Sequence, residues 1–454
     1  MGFSAAIFDC DGTLLDSMPM WRDMCVGLLE RYGVDNALEV FLENESLDMD
    51  KKCYHYHDTL GIGESGEVLY RELWQMVEAA YRERVRPYPG VHEFLEKLKA
   101  RGIECVVASS TPPALLESAL TQHGLRQYFS RIVFCGDVGR GKSFPDVYLA
   151  CERLLGRPRS DTWVFEDAPF GIRSAARAGF PVVGILNDHD GRDEDFVRLW
   201  SRVVARDYGG LEIDDLEGLA PRTLDVLIVA GSPEPSSTGL VSALASKADL
   251  VLAADRGADV LLAAGVTPTA IVGDLDTASG ATCRLVEAGK VPCVRFPPEK
   301  DDTDLSLAIA YARECSDARG AALRITFTCA SGGRPDHMLG VWGVLARAQD
   351  ASPRLVEDGF ECRILSPLGR PSWRFDGDEG VAFSVVALSP EAVVSERGTR
   401  WQLDHERLDY LSDLGISNRI SDAVAEVCCH AGTVAAFRFA SSHDLVAEAV
   451  ANGI

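Results

Sequence analysis

Positive charge is what this chain is shortest of. Against 69 Asp and Glu stand 45 Lys and Arg, a formal net charge of −24. A nucleic-acid footprint needs a basic face, so that class of partner is excluded. Among the 13 cysteines no two have C-x-x-C spacing, and the adjacent pair Cys428 and Cys429 is poor geometry for a zinc site. An odd number of unpatterned cysteines reads as reduced, core-filling thiols, and predicts a cytoplasmic, reducing setting. No apolar run approaches the length of a membrane span. No leader pattern opens the chain, because an apolar run meets an acidic motif by Asp9, and Ala6 stands where a myristoylation signal wants a hydroxyl. The expectation is a soluble protein without nucleic-acid or membrane partners.

What is present suits ordinary globular domains. The 454 residues are 46% hydrophobic, too long for one core and apolar enough for two or three. Short apolar runs at Ala5–Phe8, Glu104–Ala108, Arg131–Cys135, Thr162–Phe165 and Pro181–Ile185 read as buried strands. Helical patterns such as Val91–Ala100 and Ala114–His123 separate them, which predicts a parallel sheet with crossover connections. Residues 16–86 break the alternation and read as a helical insertion. The stretch Leu219 to Thr223, which carries Pro221, marks a boundary, and alternation restarts with Asp225–Ala230, Leu250–Ala254, Thr269–Val272 and Leu323–Cys329. After Ser352 closely spaced runs at Cys362–Leu365, Val381–Leu388, Ala392–Ser395 and Thr433–Phe439 predict a small antiparallel, sandwich-like domain. The expected domains are 1–219 (helical cap at about 16–86), 224–351 and 352–454.

Asp9-Cys10-Asp11-Gly12-Thr13 follows the first strand directly, so two carboxylates two residues apart stand where open α/β sheets place their ligands. Ser109 ends the second strand, Lys142 lies in Gly141-Lys142-Ser143, and Glu166-Asp167 ends the strand Thr162–Phe165. These four pieces, in this order, resemble the haloacid-dehalogenase-like hydrolases in their branch with an N-terminal helical cap. The resemblance implies a Rossmann-like domain with Asp9 as nucleophile and Asp11 as general acid and base. It implies Ser109 and Lys142 on the phosphoryl oxygens, and Mg²⁺ held by Asp9, Asp11, Glu166 and Asp167. The residues from Gly136 to Ser143 also satisfy the P-loop pattern. A P-loop needs its helix to begin at Gly-Lys-Ser, and Pro145 holds Phe144 extended there. The spacing therefore predicts a loop that continues past Lys142.

The second half repeats the theme of acids at strand ends. Asp255-Arg256-Gly257-Ala258 and Gly273-Asp274-Leu275-Asp276 each follow a strand. Lys300-Asp301-Asp302-Thr303-Asp304 opens a helical pattern, and Ser331-Gly332-Gly333-Arg334-Pro335-Asp336-His337 lies between a strand and a helix. One sheet would bring these to a common edge, where so many carboxylates need cations; Mg²⁺ bridging a polyphosphate meets that need. The four motifs resemble thiamine pyrophosphokinase, whose members transfer a pyrophosphoryl group from ATP to the thiamine hydroxyl. By that resemblance Asp274, Asp276, Asp301 and Asp304 orient Mg²⁺, and Asp255 lies by the nucleotide. Gly332, Gly333, Arg334, Asp336 and His337 would position phosphates or the acceptor. Gly415-Ile416-Ser417-Asn418 resembles the thiamine-contacting segment, with Trp401 as a stacking partner. Family members are dimers with sites between an α/β domain and a partner's β-domain, so a homodimer is expected.

The combined expectation is a bifunctional enzyme of thiamine metabolism. Its kinase half needs a free hydroxyl, which hydrolysis of thiamine monophosphate by the first half would expose. Rival readings are an N-terminal module without turnover, a general sugar or nucleotide phosphatase there, and a polyphosphate transferase in the second half.

Overall fold

The computed structural model describes residues 2–186, 193–295 and 303–451. The chain forms two compact units, Met1–Arg222 with Arg319–Ala321, and Thr223–Ala318 with Ala322–Ile454.

The first unit is built on a six-stranded parallel sheet. In spatial order the strands are Phe129–Phe134, Glu104–Ser109, Ala5–Phe8, Thr162–Glu166, Val182–Ile185 and Val203–Ala205. Ala5–Phe8 is buried along its whole length, as a central strand covered on both faces requires. The strand order reverses between Ala5–Phe8 and Thr162–Glu166, and that switch point opens a crevice at the strands' C-terminal ends. The insertion after the first strand is helical: Met18–Arg31, Ala37–Glu43, Met49–Leu60 and Gly66–Glu83. Gly66–Glu83 buries Leu69, Leu73, Val77 and Ala80, spaced three and four residues apart on one helix face. Ser65 caps it by accepting from the Val68 amide at 3.2 Å.

The third strand spans Phe129–Phe134, two residues earlier than the apolar run suggested. Cys135 already belongs to a helical turn, Cys135–Val138, which Gly139 ends at φ 83°. The helix after Lys142 begins at Asp146, so Gly141-Lys142-Ser143 is loop, as Pro145 dictated.

The second unit carries a ten-stranded mixed sheet. Cys293–Val294, Ala270–Val272, Leu250–Ala254, Thr223–Val229, Ala322–Thr328 and Arg354–Glu357 are parallel. Phe360–Leu365, Val434–Phe439, Ala382–Ala387 and Asn418–Arg419 continue the sheet antiparallel. A four-stranded antiparallel sheet of Ser372–Asp376, Val424–Ala431, Ala392–Arg397 and Leu403–Leu408 packs on that antiparallel part. Its core includes Phe375, Val394 and Val427 from the small sheet with Phe383, Val385 and Val434 from the large one. This is sandwich packing, and one sheet runs continuously from the α/β part into it. Leu403–Leu408 and Ser372–Asp376 escaped the apolar-run reading because they alternate with, or consist of, charged residues on an exposed face.

Candidate active sites

In the first unit, three carboxylates meet one ammonium at the switch point. Asp9, Glu166 and Asp167 are 6%, 0% and 1% exposed, and each offers an oxygen within 4.8 Å of the others. Lys142, equally buried, pairs with Asp9 and reaches Glu166 Oε2 at 2.7 Å. Burial, and then the Glu166 carboxylate, hold the Asp9 carboxyl well above its usual range, against the pull of Lys142. Burial alone would lower the Lys142 ammonium, but Asp9 and Glu166 outweigh it and raise its pKa. Three acids against one base leave an excess of buried negative charge, and a divalent cation between Asp9 and Asp167 fits that excess.

Glu166 is saturated. Its Oε1 accepts from the Asp167 and Ala168 amides at 3.2 and 3.1 Å, and its Oε2 also accepts from the Tyr148 hydroxyl at 2.8 Å. Asp167 accepts from Thr13 at 3.1 Å. Gly12 has φ 81°, and a Cβ there would lie 2.2 Å from Asp167 Oδ2, so only glycine lets the motif loop approach. Asp11 faces a different way: Oδ1 accepts from Ser17 at 2.6 Å and Tyr81 at 2.5 Å, and Oδ2 from Thr111 at 2.8 Å. Burial and the Asp11 charge raise the Tyr81 phenol well above its ordinary range, which keeps it a donor. Ser109 is buried, with its Oγ accepting from the Thr111 amide at 3.0 Å. A cleft lined by Asp9, Asp11, Ser109 and Lys142 also takes in Trp21, Phe41, Met49 and Leu73 of the helical insertion.

The second unit gathers Asp255, Asp274 and Asp276 at the C-terminal ends of Leu250–Ala254 and Ala270–Val272. Asp255 is 5% exposed and sits at φ 42°, a conformation disfavoured for any side chain. Its Oδ2 accepts from the Thr277 hydroxyl, while its Oδ1 is buried with no hydrogen-bond partner among the described residues. A buried, unpaired carboxylate oxygen beside two further acids fits a cation. Gly273 lets the chains close in: a Cβ there would stand 3.1 Å from both Asp255 Cβ and Asp304 Oδ1, so Asp304 joins the group. Partial desolvation, then Asp274 and Asp255, raise the Asp276 carboxyl. Lys300, Asp301 and Asp302 lie outside the described residues.

The loop Ser331–Gly333 follows Ala322–Thr328 at the same sheet edge, and Ser232 Oγ donates to the Ser331 carbonyl at 2.5 Å. Arg334 is exposed and forks onto Asp336 at 3.1 and 2.5 Å, holding that carboxyl down at about 2. His337 is exposed in the first turn of the helix Pro335–Arg347.

Trp401, Ser417 and Asn418 stand apart from these acids. Asn418–Arg419 is the sheet's last strand, five strand steps from Ala322–Thr328, or about 24 Å at the usual spacing. Asn418 is buried and fully engaged: Oδ1 accepts from the Trp401 and Arg419 amides, and Nδ2 donates to Glu396 Oε2 at 2.6 Å and the Trp401 carbonyl at 2.7 Å. Trp401 is 55% exposed, and Ser417 is exposed at φ 62°.

Two carboxylates escaped the sequence reading. Glu357 ends the strand Arg354–Glu357 and accepts four hydrogen bonds: from the Cys329, Ala330 and Ser331 amides at 3.0, 2.9 and 3.0 Å, and from Ser236 Oγ at 2.5 Å. It thereby fixes the backbone that leads into Gly332-Gly333. Glu396 is buried beneath Asn418, and burial pushes its carboxyl up to about 7. A lone acid at or next to the end of an apolar strand is the sequence signal that each one offered.

Comparison with known proteins gives one family match in each unit. Residues 3–179 match the family described as haloacid dehalogenase-like hydrolase, and residues 241–356 match thiamin pyrophosphokinase, catalytic domain. Validoxylamine A 7'-phosphate phosphatase of Streptomyces hygroscopicus subsp. limoneus is 33% identical over 192 residues, 41% of this chain and 88% of that protein. The bifunctional riboflavin kinase/FMN phosphatase of Arabidopsis thaliana is 25% identical over 187 residues, 40% of this chain and 48% of that protein. The thiamine pyrophosphokinase structure from Bacillus subtilis is 24% identical, covering 47% of this chain and 98% of its own, with a TM-score of 0.40.

Proposed function

The chain belongs to the haloacid dehalogenase-like hydrolases through its first half and carries a thiamin pyrophosphokinase catalytic domain in its second, and from that premise we propose an enzyme with two separate sites, a phosphomonoesterase and an ATP-dependent thiamine diphosphokinase. One observation carries the reading: each half gathers three carboxylates at the C-terminal ends of parallel strands.

In the phosphatase half, an Asp9 oxygen attacks phosphorus while the ester oxygen departs with a proton from Asp11, leaving an aspartyl-phosphate. Asp11 then takes a proton from the water that cleaves this acyl-phosphate. Tyr81, Ser17 and Thr111 hold Asp11 in place for both transfers. Lys142 offsets the charge that Asp9 brings to the phosphoryl group. Mg²⁺ held by Asp9 and Asp167 would supply further neutralisation of phosphoryl charge.

In the kinase half no side chain forms a bond to substrate. Asp255, Asp274, Asp276 and Asp304 would hold Mg²⁺, which supplies charge neutralisation on ATP. The Ser331–Gly333 backbone and Arg334 would seat phosphates, so that the work is positioning. The thiamine segment at Trp401, Ser417 and Asn418 lies too far along the sheet to meet those acids within one copy. That separation, together with the exposure of Trp401, Tyr410 and Leu411, supports a homodimer in which one copy's sandwich completes its partner's site. Mixing Asp274→Asn/Asp276→Asn chains with Trp401→Ala chains should restore AMP formation that neither shows alone; no restoration would contradict the shared site.

Fusion to the kinase, taken alone, points to thiamine monophosphate as the ester, since its hydrolysis frees the hydroxyl that the kinase uses. The vitamin kinase and phosphatase paired in the Arabidopsis relative lend it support by analogy. Comparing kcat/KM over a panel of phosphate esters tests it, and a hundredfold preference for another ester ends it. Free thiols throughout, and no described helix long and apolar enough to cross a membrane, agree with a cytoplasmic setting.

A further inference from the structure

The helical wall of the phosphatase cleft is largely apolar, with Trp21, Phe41, Met49 and Leu73 facing the space. Two charged residues interrupt it, Glu45 and Lys52. Glu45 is half-buried and takes part in an interaction of its own. Lys52 is different. It lies on the buried face of Met49–Leu60 beside Met49, Cys53 and Tyr56, and is 7% exposed. Its ammonium stands 5.2 Å from the centroid of the Phe41 ring, and no hydrogen bond or ion pair reaches it among the described residues. The adjacent Lys51, by contrast, pairs with Asp48 at 2.5 Å. Lys142, the other cation lining the cleft, is already shared by Asp9 and Glu166.

The ammonium opens to the cleft, and the one ring face beside it leaves its donors without a protein acceptor among the described residues. It offers three donors and no acceptor, so its complement is an anionic oxygen group. On the phosphatase reading, Asp9, Ser109 and Lys142 at the sheet's C-terminal edge would engage the transferring phosphoryl group. The anion that Lys52 awaits therefore belongs to the leaving group.

We infer that Lys52 forms a subsite for a carboxylate or second phosphate on the leaving group, which makes this phosphatase selective for esters bearing a second anionic group. The inference rests on the phosphatase reading of the cleft and deepens it. It also sets that reading against thiamine monophosphate, whose leaving group is a cation.

The test uses the full chain and a matched pair of esters, 3-phosphoglycerate and glycerol 3-phosphate, which differ in a carboxylate against a hydroxymethyl. Hydrolysis of p-nitrophenyl phosphate that Asp9→Asn abolishes establishes the phosphatase reading separately. Wild type should favour 3-phosphoglycerate at least tenfold in kcat/KM, with the difference mainly in KM. In Lys52→Met that ratio should fall at least tenfold, and Lys52→Arg should recover most of it. Lys52→Glu should reverse the preference and raise the relative kcat/KM for thiamine monophosphate. A wild-type ratio near one overturns the inference, and so does a ratio that stays within threefold in Lys52→Met, whether both activities fall together or neither does. Should Lys52→Met not fold, the wild-type ratio and Lys52→Arg still decide. Absence of all ester hydrolysis overturns both the inference and the phosphatase reading beneath it.

Discussion

Asp9, Glu166 and Asp167 are shut away from solvent, with Lys142 pairing to the first two, whereas Asp255 is buried, Asp274 half-buried and Asp276 exposed. The contrast follows the chemistry proposed for each half. A carboxylate that must itself attack phosphorus needs a fixed, water-poor setting, and Lys142, Tyr148 and two backbone amides hold its neighbourhood rigid. A site that only positions a metal-bound polyphosphate receives its counter-charges with the substrate. It can stay open until a nucleotide, and in this account a second copy, close it.

The sharpest way to break the comparison is to remove each half's acids and watch the other half. Asp9→Asn should cost phosphatase activity about 10³-fold or more and leave AMP formation intact. Phosphatase activity near the wild-type level in that variant would remove Asp9 as nucleophile. Next in size, Asp274→Asn/Asp276→Asn should lower AMP formation by about 10²-fold or more, with circular dichroism unchanged because neither side chain belongs to a core: Asp274 is half-buried and Asp276 exposed. Persistent AMP release would place the cation elsewhere.

How much of this was legible beforehand differs by element. Ala5–Phe8, Leu250–Ala254 and the helical insertion announced themselves, because central strands and amphipathic helices must carry continuous or periodic apolar residues. The motif acids were legible as strand-end carboxylates, and the structure collects Asp9 with Glu166 and Asp167, and Asp255 with Asp274 and Asp276. Leu403–Leu408 was not legible, since a strand with one face in water and charged residues throughout has no apolar run. Nor were Glu357, whose partners lie 26 or more residues away, and Lys52, which has no hydrogen-bond or ion-pair partner among the described residues. The remoteness of Trp401 and Asn418 from the acids is a property of strand order, which local pattern does not encode.

Glu357→Gln sharpens the contrast at a smaller scale. A glutamine turns an amide toward donors that need an acceptor, so the loop before Gly332 should shift. KM for ATP should rise about tenfold while KM for thiamine changes little, and Glu357→Asp should recover part of the loss. Equal changes in both constants would mean a general loss of fold instead.

The smallest effect is on stability. Burial raises the folded-state pKa of Glu396 from 4.5 to about 7, so the native state binds the extra proton. Its contribution is full below pH 4.5 and is lost as pH rises through about 7, a span of roughly 1–3 kcal/mol. Glu396→Gln should flatten that part of the stability curve and exceed wild type at pH 8 in denaturant melts. A variant with the same slope as wild type would show that this carboxyl does not titrate in the window.

The most direct test of the central claim is AMP formation from ATP by the full chain, measured with and without thiamine. The account predicts AMP only when thiamine is present, in amounts equal to the thiamine diphosphate formed. ATP turnover that ignores thiamine, or no turnover with it, would contradict the account.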